Sequence, residues 1–140
     1  MWFRAVPLLL LAACGPTVAP QTTGVIEITH TDFYNSATTR VYANGRIVQT
    51  TAAQGQAPVE EVTEGSPRAF AAAASLLQTE GRRVKATADT LRTCKSYGTD
   101  LIRATPPVGG FDEVATFCAD EAVTGLSDRL FAVLGVTYER

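Results

Sequence analysis

The sequence predicts an α+β fold in which a small antiparallel sheet of four to five strands carries two helices on one face. Three observations predict it: segments rich in β-branched residues between turn signals, two segments with apolar residues at helical spacing, and the alternation of both kinds along the chain. The order is β-β-β-(β)-α-β-β-α, with the fourth strand optional. A length of 140 residues leaves room for one domain, which we place at residues 25–136.

Three segments near the start of the domain predict strands, because they are rich in Val, Ile and Thr. Asn44-Gly45 lies between the second and third of them and is a strong signal for a β-hairpin. A two-residue turn at this dipeptide places Tyr42 opposite Ile47, where the pair either stays partly exposed or is covered by a helix. The three segments are residues 25–33, 38–43 and 46–51.

The first helix is predicted to begin at Pro67, because Ser66 suits the N-cap and proline suits the first helical position. Before it, residues 58–63 supply the optional strand. The end of this helix has two interpretations: Gly81 suits a left-handed C-cap, whereas the apolar spacing continues to about Thr93. We expect the helix to end near Gly81, since an uncapped helix of about 26 residues exceeds the usual length.

The later part of the domain predicts two more strands, at residues 97–105 and 111–118, joined by the loop Pro106-Pro107-Val108-Gly109-Gly110. Together with Phe111, this loop is either a rigid docking surface or a tight connection whose aromatic ring folds back into the core. The second alternative is our expectation. A final amphipathic helix follows, with acidic residues at its start and a stop at Gly135.

The composition agrees with a packed domain, since hydrophobic residues make up 46% of the chain and charged residues 19%. The formal net charge is −2, from 12 Lys and Arg against 14 Asp and Glu. Binding to a phosphate backbone requires a basic surface. We therefore expect no nucleic-acid partner.

The first fourteen residues have the pattern of an export leader. Arg4 supplies a positive charge, and an apolar stretch over residues 5–13 leads into Leu11-Ala12-Ala13-Cys14. A helix that spans a bilayer needs about 20 apolar residues, so this shorter stretch suits a cleaved signal. Residues 11–14 resemble the lipobox of bacterial lipoproteins. The alternative is an ordinary secretory leader that ends in a cysteine by chance.

The resemblance implies that residues 1–13 are removed and that Cys14 becomes the N-terminus, carrying diacylglycerol on its sulfur and an acyl chain such as palmitate on its nitrogen. Several acyl chains together make a durable membrane anchor. Residues 14–24 then form a flexible tether, and residues 137–140 a short tail. In such lipoproteins an Asp after the cysteine favours inner-membrane retention; Gly15 stands here, so we expect the outer membrane, facing the periplasm. We expect no other cofactor.

Cys94 and Cys118 are the cysteines that are left after Cys14. An exported protein lies in an oxidising compartment, where two such cysteines most economically form one disulfide. Two free buried thiols are the alternative. We expect no metal site, because two cysteines and the single His30 fall short of four closely spaced ligands.

His30 is followed two residues later by Asp32, on the same face of the first strand. The two residues are either a base with its orienting carboxylate or a strand histidine followed by the start of a turn, and we expect the second. The sequence contains no nucleophile elbow, phosphate loop or dinucleotide motif. We therefore name no catalytic residue.

The expected function is that of a non-enzymatic binding or structural module in the bacterial envelope, held to the membrane by lipid and contacting an envelope protein. The alternative is a periplasmic enzyme or enzyme inhibitor. A deep pocket that contains His30 and a carboxylate would favour the enzyme, and a protruding rigid loop would favour the inhibitor or docking module. The candidate contact residues are Tyr42, Ile47, Pro106, Pro107, Val108 and Phe111.

Overall fold

A computed structural model describes residues 23–137, in which six antiparallel strands form one sheet with helices against one face. The predicted leader, Cys14, the predicted tether up to residue 22 and the predicted tail from residue 138 lie outside the described residues. The sheet has the order β4-β3-β2-β1-β5-β6. In chain order the elements are β1 (Val25–Thr31), β2 (Asn35–Tyr42), β3 (Arg46–Ala53), β4 (Val59–Glu64), α1 (Pro67–Leu76), a π-helical segment (Leu77–Gly81), α2 (Arg82–Thr87), β5 (Thr99–Val108), β6 (Phe111–Thr116) and α3 (Glu121–Leu134).

The α+β class is confirmed, but the sheet has six strands where four to five were expected. The optional strand is present as β4, which pairs with β3 and places Val62 opposite Val48. Every residue of β4 is exposed. A strand at the sheet edge with no buried face lacks the apolar alternation by which strands are recognised in a sequence.

The hairpin at Asn44-Gly45 is confirmed, but its predicted two-residue turn is wrong. The turn has three residues, and the Gly45 amide donates to the Tyr42 carbonyl oxygen at 2.8 Å. Gly45 has a φ of 93°, a value that glycine adopts without strain. The longer turn shifts the register by one residue, so that Val41 rather than Tyr42 lies opposite Ile47. Ile47 therefore points into the core.

The expected helix end at Gly81 is also wrong. Gly81 has φ −58° and ψ −42°, which is right-handed helical geometry, and the helix continues through the π-helical segment into α2. It ends at Thr87, because Ala88 has a ψ of 138° and is extended. The start of the helix agrees with the prediction, since the Ser66 side chain accepts from the Arg68 amide at 3.1 Å.

The predicted loop at residues 106–110 is mostly strand. β5 continues through Pro106-Pro107 to Val108, and only Gly109 and Gly110, with φ of 52° and 87°, form the turn to β6. The prolines are tolerated because pairing with β1 ends at Thr105 and the pairing with β6 is irregular between Arg103 and Val108. The backbone N–H that each proline lacks is therefore not needed for a regular series of hydrogen bonds between strands at this point.

The core lies between the helices and the inner face of the sheet. Ile26, Ile28, Val41 and Ile102 supply much of the sheet side. Phe111 is fully buried among them, so the alternative in which its ring folds back into the core is confirmed. The helices contribute Phe70, Ala73, Leu77, Val84, Val123, Leu126, Leu130, Phe131 and Leu134.

Cys94 and Cys118 form a disulfide, as predicted, with their Cα atoms 5.2 Å apart. Cys94 precedes β5 and Cys118 follows β6, so the bond joins the two ends of this hairpin. The amide of Cys94 also donates to the Phe117 carbonyl oxygen at 3.2 Å. The bond therefore holds the segment that enters β5 against the segment that leaves β6.

α3 begins and ends at the predicted signals. The Asp120 side chain caps its N-terminus, and Gly135 ends it in the left-handed conformation with a φ of 67°. None of the helices within residues 23–137 combines the length and the apolar character that crossing a membrane requires.

Candidate functional site

A cavity of about 420 Å³ lies between the inner face of the sheet and the start of α3. Its floor is partly apolar, from Ile28, Ala37 and Phe131. This size lies within the range of small-ligand sites, which combine an apolar lining with a few convergent polar groups. The polar side chains that line it include His30, Tyr97, Asp100, Asp120, Thr124 and Ser127.

His30 and Asp100 meet because β1 and β5 are antiparallel in a register that places the two residues directly opposite each other. Ile26 and Ile28 share the parity of His30 and lie in the core, so the His30 ring also points to the helix side of the sheet. Its Nδ1 atom lies 2.6 Å from the Asp100 Oδ1 atom. The side chains are 30% and 15% exposed, respectively, so both are only partly reached by solvent.

Tyr97 completes the arrangement from the segment before β5. Its hydroxyl donates to the Asp100 Oδ2 atom at 2.6 Å, and its ring meets the His30 ring edge-on at 5.6 Å between centroids. Gly98 makes this approach possible: its φ is 106°, and a Cβ there would lie only 1.8 Å from the Thr31 carbonyl oxygen. A residue with a side chain would push Tyr97 away from Asp100.

The contact with Asp100 determines which nitrogen of the His30 ring carries the proton. A carboxylate only accepts hydrogen bonds, so Nδ1 carries the proton in this pair. The other ring nitrogen, Nε2, is then an acceptor when the ring is neutral and a donor when the ring is protonated. Both carboxylate oxygens of Asp100 are occupied, one by the His30 ring and one by the Tyr97 hydroxyl.

The N-terminus of α3 forms another wall of this cleft. Asp120 Oδ1 accepts from the amides of Ala122 and Val123 at 2.9 and 3.1 Å, and Oδ2 accepts from the Asp89 amide at 3.3 Å. The carboxylate therefore lies on the positive end of the helix dipole and also holds the loop after α2. The hydroxyls of Thr124 and Ser127 follow along the same helix face.

A second cavity of about 320 Å³ adjoins the first and shares His30 and Ala37 with it. Asn35, Ser36 and Thr51 are among its polar lining residues. His30 thus stands at the junction of two concave surfaces, on the inner face of the sheet beyond the end of the core.

Asp32 does not orient His30. Its Oδ1 atom accepts from the amides of Tyr34 and Asn35 at 2.7 and 2.6 Å, and these two hydrogen bonds lower the pKa of the carboxyl. The expectation that Asp32 begins a turn is confirmed. Sequence reasoning missed Asp100 and Tyr97 as partners of His30. Residues about 70 positions apart in the chain come into contact here only because β1 and β5 pair in this register.

The predicted contact residues are not brought together at this cleft. Ile47 is 1% exposed, and Val108 and Phe111 are buried in the core, so none of the three is accessible as a contact residue. Tyr42 is 36% exposed and Pro106-Pro107 is exposed. Tyr42 lies opposite Val25, at the end of β1 farthest from His30.

The chemistry of the described residues sets limits on the site. Cys94 and Cys118 are joined to each other, which removes both as nucleophiles. Among residues 23–137, no three or more His, Cys, Asp or Glu side chains are grouped in a way that would hold a metal ion.

Comparison of the chain with protein-family models, curated protein sequences and solved structures gives no match.

Proposed function

We propose that this chain is a lipid-anchored lipoprotein of the bacterial envelope whose domain binds a polar group of an envelope partner protein in the cleft around His30. The observation that carries the binding proposal is the His30–Asp100–Tyr97 arrangement inside a cavity of about 420 Å³. Polar groups held in fixed positions within a partly apolar concave site provide specific contacts at low entropic cost.

Binding is favoured over catalysis by the partners of His30. Its ring is bonded to a carboxylate at Nδ1 and packed on a tyrosine edge, which orients Nε2 to contact a ligand. Nucleophilic catalysis instead requires a hydroxyl or thiol within hydrogen-bond reach of the base. Thr124 and Ser127 bring hydroxyls to the same cavity, but the hydrogen bond of the His30 ring is made to the Asp100 carboxylate. The thiols of Cys94 and Cys118 are consumed by their disulfide.

The anchor is supported by Leu11-Ala12-Ala13-Cys14, which resembles a lipobox. Cys14→Ser removes the thiol that would carry diacylglycerol, so we expect the protein to leave the membrane fraction. Gly15→Ser is the matched control, since it alters the neighbouring position and keeps the thiol. Mass spectrometry of the mature N-terminus should find acylation in the wild type and in Gly15→Ser. An N-terminus without fatty acid in the wild type would contradict the anchor.

The binding proposal is tested by a photoreactive amino acid placed at Thr124, which lines the cleft, in intact cells. We expect capture of a defined envelope protein, and a loss of at least fivefold when His30→Gln is added. The control is the same photoreactive residue at Ala132, an exposed position elsewhere on α3. Equal capture from both positions, or capture from Thr124 that does not depend on His30, would contradict binding in the cleft.

A second candidate function is enzymatic. It is favoured by the cavity itself, since a pocket that contains His30 and a carboxylate is the feature that we expected of an enzyme rather than of a docking module. A carboxylate that orients an imidazole is also the arrangement of a general base. The captured protein distinguishes the two. A substrate should differ in covalent mass between wild-type cells and His30→Gln cells, since it would accumulate unprocessed in the latter. A binding partner should have the same mass in both.

A further inference from the structure

The outer face of the sheet, opposite the helices, carries a row of four alternating charges across adjacent strands. The register places Arg40 of β2 beside Glu27 of β1, then Arg103 of β5 and Glu113 of β6. From one side to the other, the row is positive, negative, positive, negative. We call these four residues the charge row.

Contacts within the charge row hold its side chains across the strands. The Arg40 Nε atom lies 2.7 Å from Glu27 Oε2, and the Arg103 Nε atom lies 2.6 Å from Glu113 Oε2. Arg103 Nη1 also lies 3.9 Å from Glu27 Oε1. The arginines and Glu113 are close to half exposed, so their charges stay available at the surface.

The sign pattern is self-complementary. If the row of a second copy is placed against the first in the reverse order, each charge faces a charge of opposite sign. Glu27 then faces the second copy's Arg103, and Arg40 faces the second copy's Glu113. This reversal results from a twofold axis that is parallel to the strands and passes between β1 and β5. A twofold axis along the row itself would instead place each charge against an identical one, which is repulsive.

We propose that the outer face binds a second copy of this chain, as a homodimer about a twofold axis parallel to the strands. The contact is a face-to-face packing of two antiparallel sheets, in which aligned strands are a common arrangement. Its centre is the charge row. In the neighbouring row on the same face, the positions on β2, β1, β5 and β6 are uncharged, with Thr29 and Leu101 opposite each other and Thr38 and Ala115 beside them. The charge in that row, Glu60, lies on β4 and outside the four strands that the two copies would share.

The direction of the chain gives independent support, which rests on the proposed lipid anchor. A twofold axis parallel to the strands leaves both copies of β1 pointing the same way, so both chains enter Val25 from the same end of the dimer. Two lipid anchors can then insert into one membrane. The repulsive alternative, with its axis along the row, would put the two anchors at opposite ends. Charge pairing and anchor direction therefore select the same symmetry.

The test uses two full-length chains with different C-terminal tags, coexpressed and captured through one tag after mild detergent extraction. One variant has an all-acidic row, Arg40→Glu with Arg103→Glu, and the other an all-basic row, Glu27→Lys with Glu113→Lys. We expect wild type to capture wild type, each variant to lose capture of itself at least tenfold, and the acidic variant to capture the basic one at close to the wild-type level. Sedimentation in the same detergent should give a dimer that weakens as salt increases.

The matched control is Arg68→Glu with Arg92→Glu, which makes the same charge change at two exposed positions off this face and should leave capture unchanged. Like charges across strands also weaken a sheet, so folding is checked by circular dichroism. The fully inverted row, with all four signs exchanged, keeps every internal ion pair and should capture itself. If the inverted-row variant does not capture itself, or if the acidic variant does not capture the basic one, the proposal is overturned.

The experiment separates this inference from the proposed anchor. The four combinations are repeated with Cys14→Ser in both chains. If mass spectrometry finds no fatty acid on the wild-type N-terminus and the Cys14→Ser chains keep the pattern of capture, the dimer stands and the lipoprotein assignment fails. If the anchor is present and wild type does not capture wild type, the dimer fails and the lipoprotein assignment stands.

Discussion

Gly81 lies where the first helix packs on the sheet, and it provides the sharpest test of the packing described above. Its backbone is helical, so its presence is not explained by a need for positive φ. A Cβ built on Gly81 would lie 3.0 Å from Cδ2 of Phe111 and 3.2 Å from Cδ2 of Leu77. Both neighbours are fully buried, so each must shift by a few tenths of an ångström within the core to admit the methyl group. Glycine at position 81 is therefore explained by the close approach of Phe111, which leaves little room for a side chain.

The magnitude follows from two opposing effects. Replacing glycine by alanine inside a helix stabilises it by about 1 kcal/mol, and inserting a methyl group into a filled core costs about 1–3 kcal/mol. Gly81→Ala should therefore change the free energy of unfolding by about 0 to 2 kcal/mol in the destabilising direction. Gly125→Ala in α3 is the matched control, since a Cβ there meets nothing within 4 Å. It should stabilise by about 1 kcal/mol.

The assay is denaturant unfolding followed by far-ultraviolet circular dichroism, with the two alanine variants compared under the same conditions. The two changes should differ by about 1–3 kcal/mol. In a Phe111→Val background, which removes the ring atom nearest to the new methyl group, Gly81→Ala should become more favourable than it is in the wild type, although the close approach to Leu77 remains. If Gly81→Ala stabilises the wild-type protein as much as Gly125→Ala does, the close contact with Phe111 is refuted.

Three further predictions concern stability. Replacing both Cys94 and Cys118 by serine opens a cross-link between residues 24 apart and should lower the free energy of unfolding by about 3.5 kcal/mol, measured by denaturant unfolding without reductant. Asp120→Ala removes the N-cap of α3 and should cost about 1 kcal/mol in the same assay, with a normal m-value. The pKa of Asp32 is lowered by the backbone amides of Tyr34 and Asn35, so its stabilising contribution is complete above the ordinary carboxyl pKa of 3.8 and is lost as the pH falls below it. Asp32→Asn should therefore make the fall in stability between pH 5 and pH 3 less steep, and an unchanged slope would contradict this contribution.

Local signals in the sequence were enough to predict most elements of the fold. Asn44-Gly45 marked the first hairpin, Ser66-Pro67 marked the start of the first helix, and Gly135 marked the end of α3. Each of these signals acts within a few residues of the backbone that it shapes. They predict where an element begins or ends without knowledge of its tertiary partners.

The elements that were missed depend on distant contacts. β4 exists because β3 offers it a pairing edge, although all its own residues are exposed. The helix passes through Gly81, and the backbone at that glycine packs close to Phe111, some 30 positions later in the chain. Pro106-Pro107 lies in a strand because the regular ladders on both sides are interrupted at that point. The first two elements therefore involve tertiary contacts that local preference does not reveal, whereas the prolines lie in a strand where the pairing leaves room for them.

The candidate site was the least predictable part of the molecule. His30 attracted attention as the single histidine, but the nearest carboxylate in the sequence, Asp32, was the wrong partner to consider for it. Asp100 and Tyr97 become its partners only once β5 pairs with β1. A site formed from two strands that are adjacent in the sheet but distant in the chain has no signature in a single sequence.

The position of the cleft makes the two proposals compatible in space. His30 lies five residues after Val25 along β1, so the cleft is about 17 Å farther from the start of the domain, where the proposed tether would enter. It lies on the helix side of the sheet, whereas the charge row lies on the opposite side. A dimer formed through the charge row would therefore leave both clefts open and directed away from each other, with both proposed tethers at one end. A partner that binds at His30 should consequently be captured equally well by the wild type and by the all-acidic row variant. If capture from Thr124 falls together with dimerisation, the cleft and the outer face are not independent surfaces.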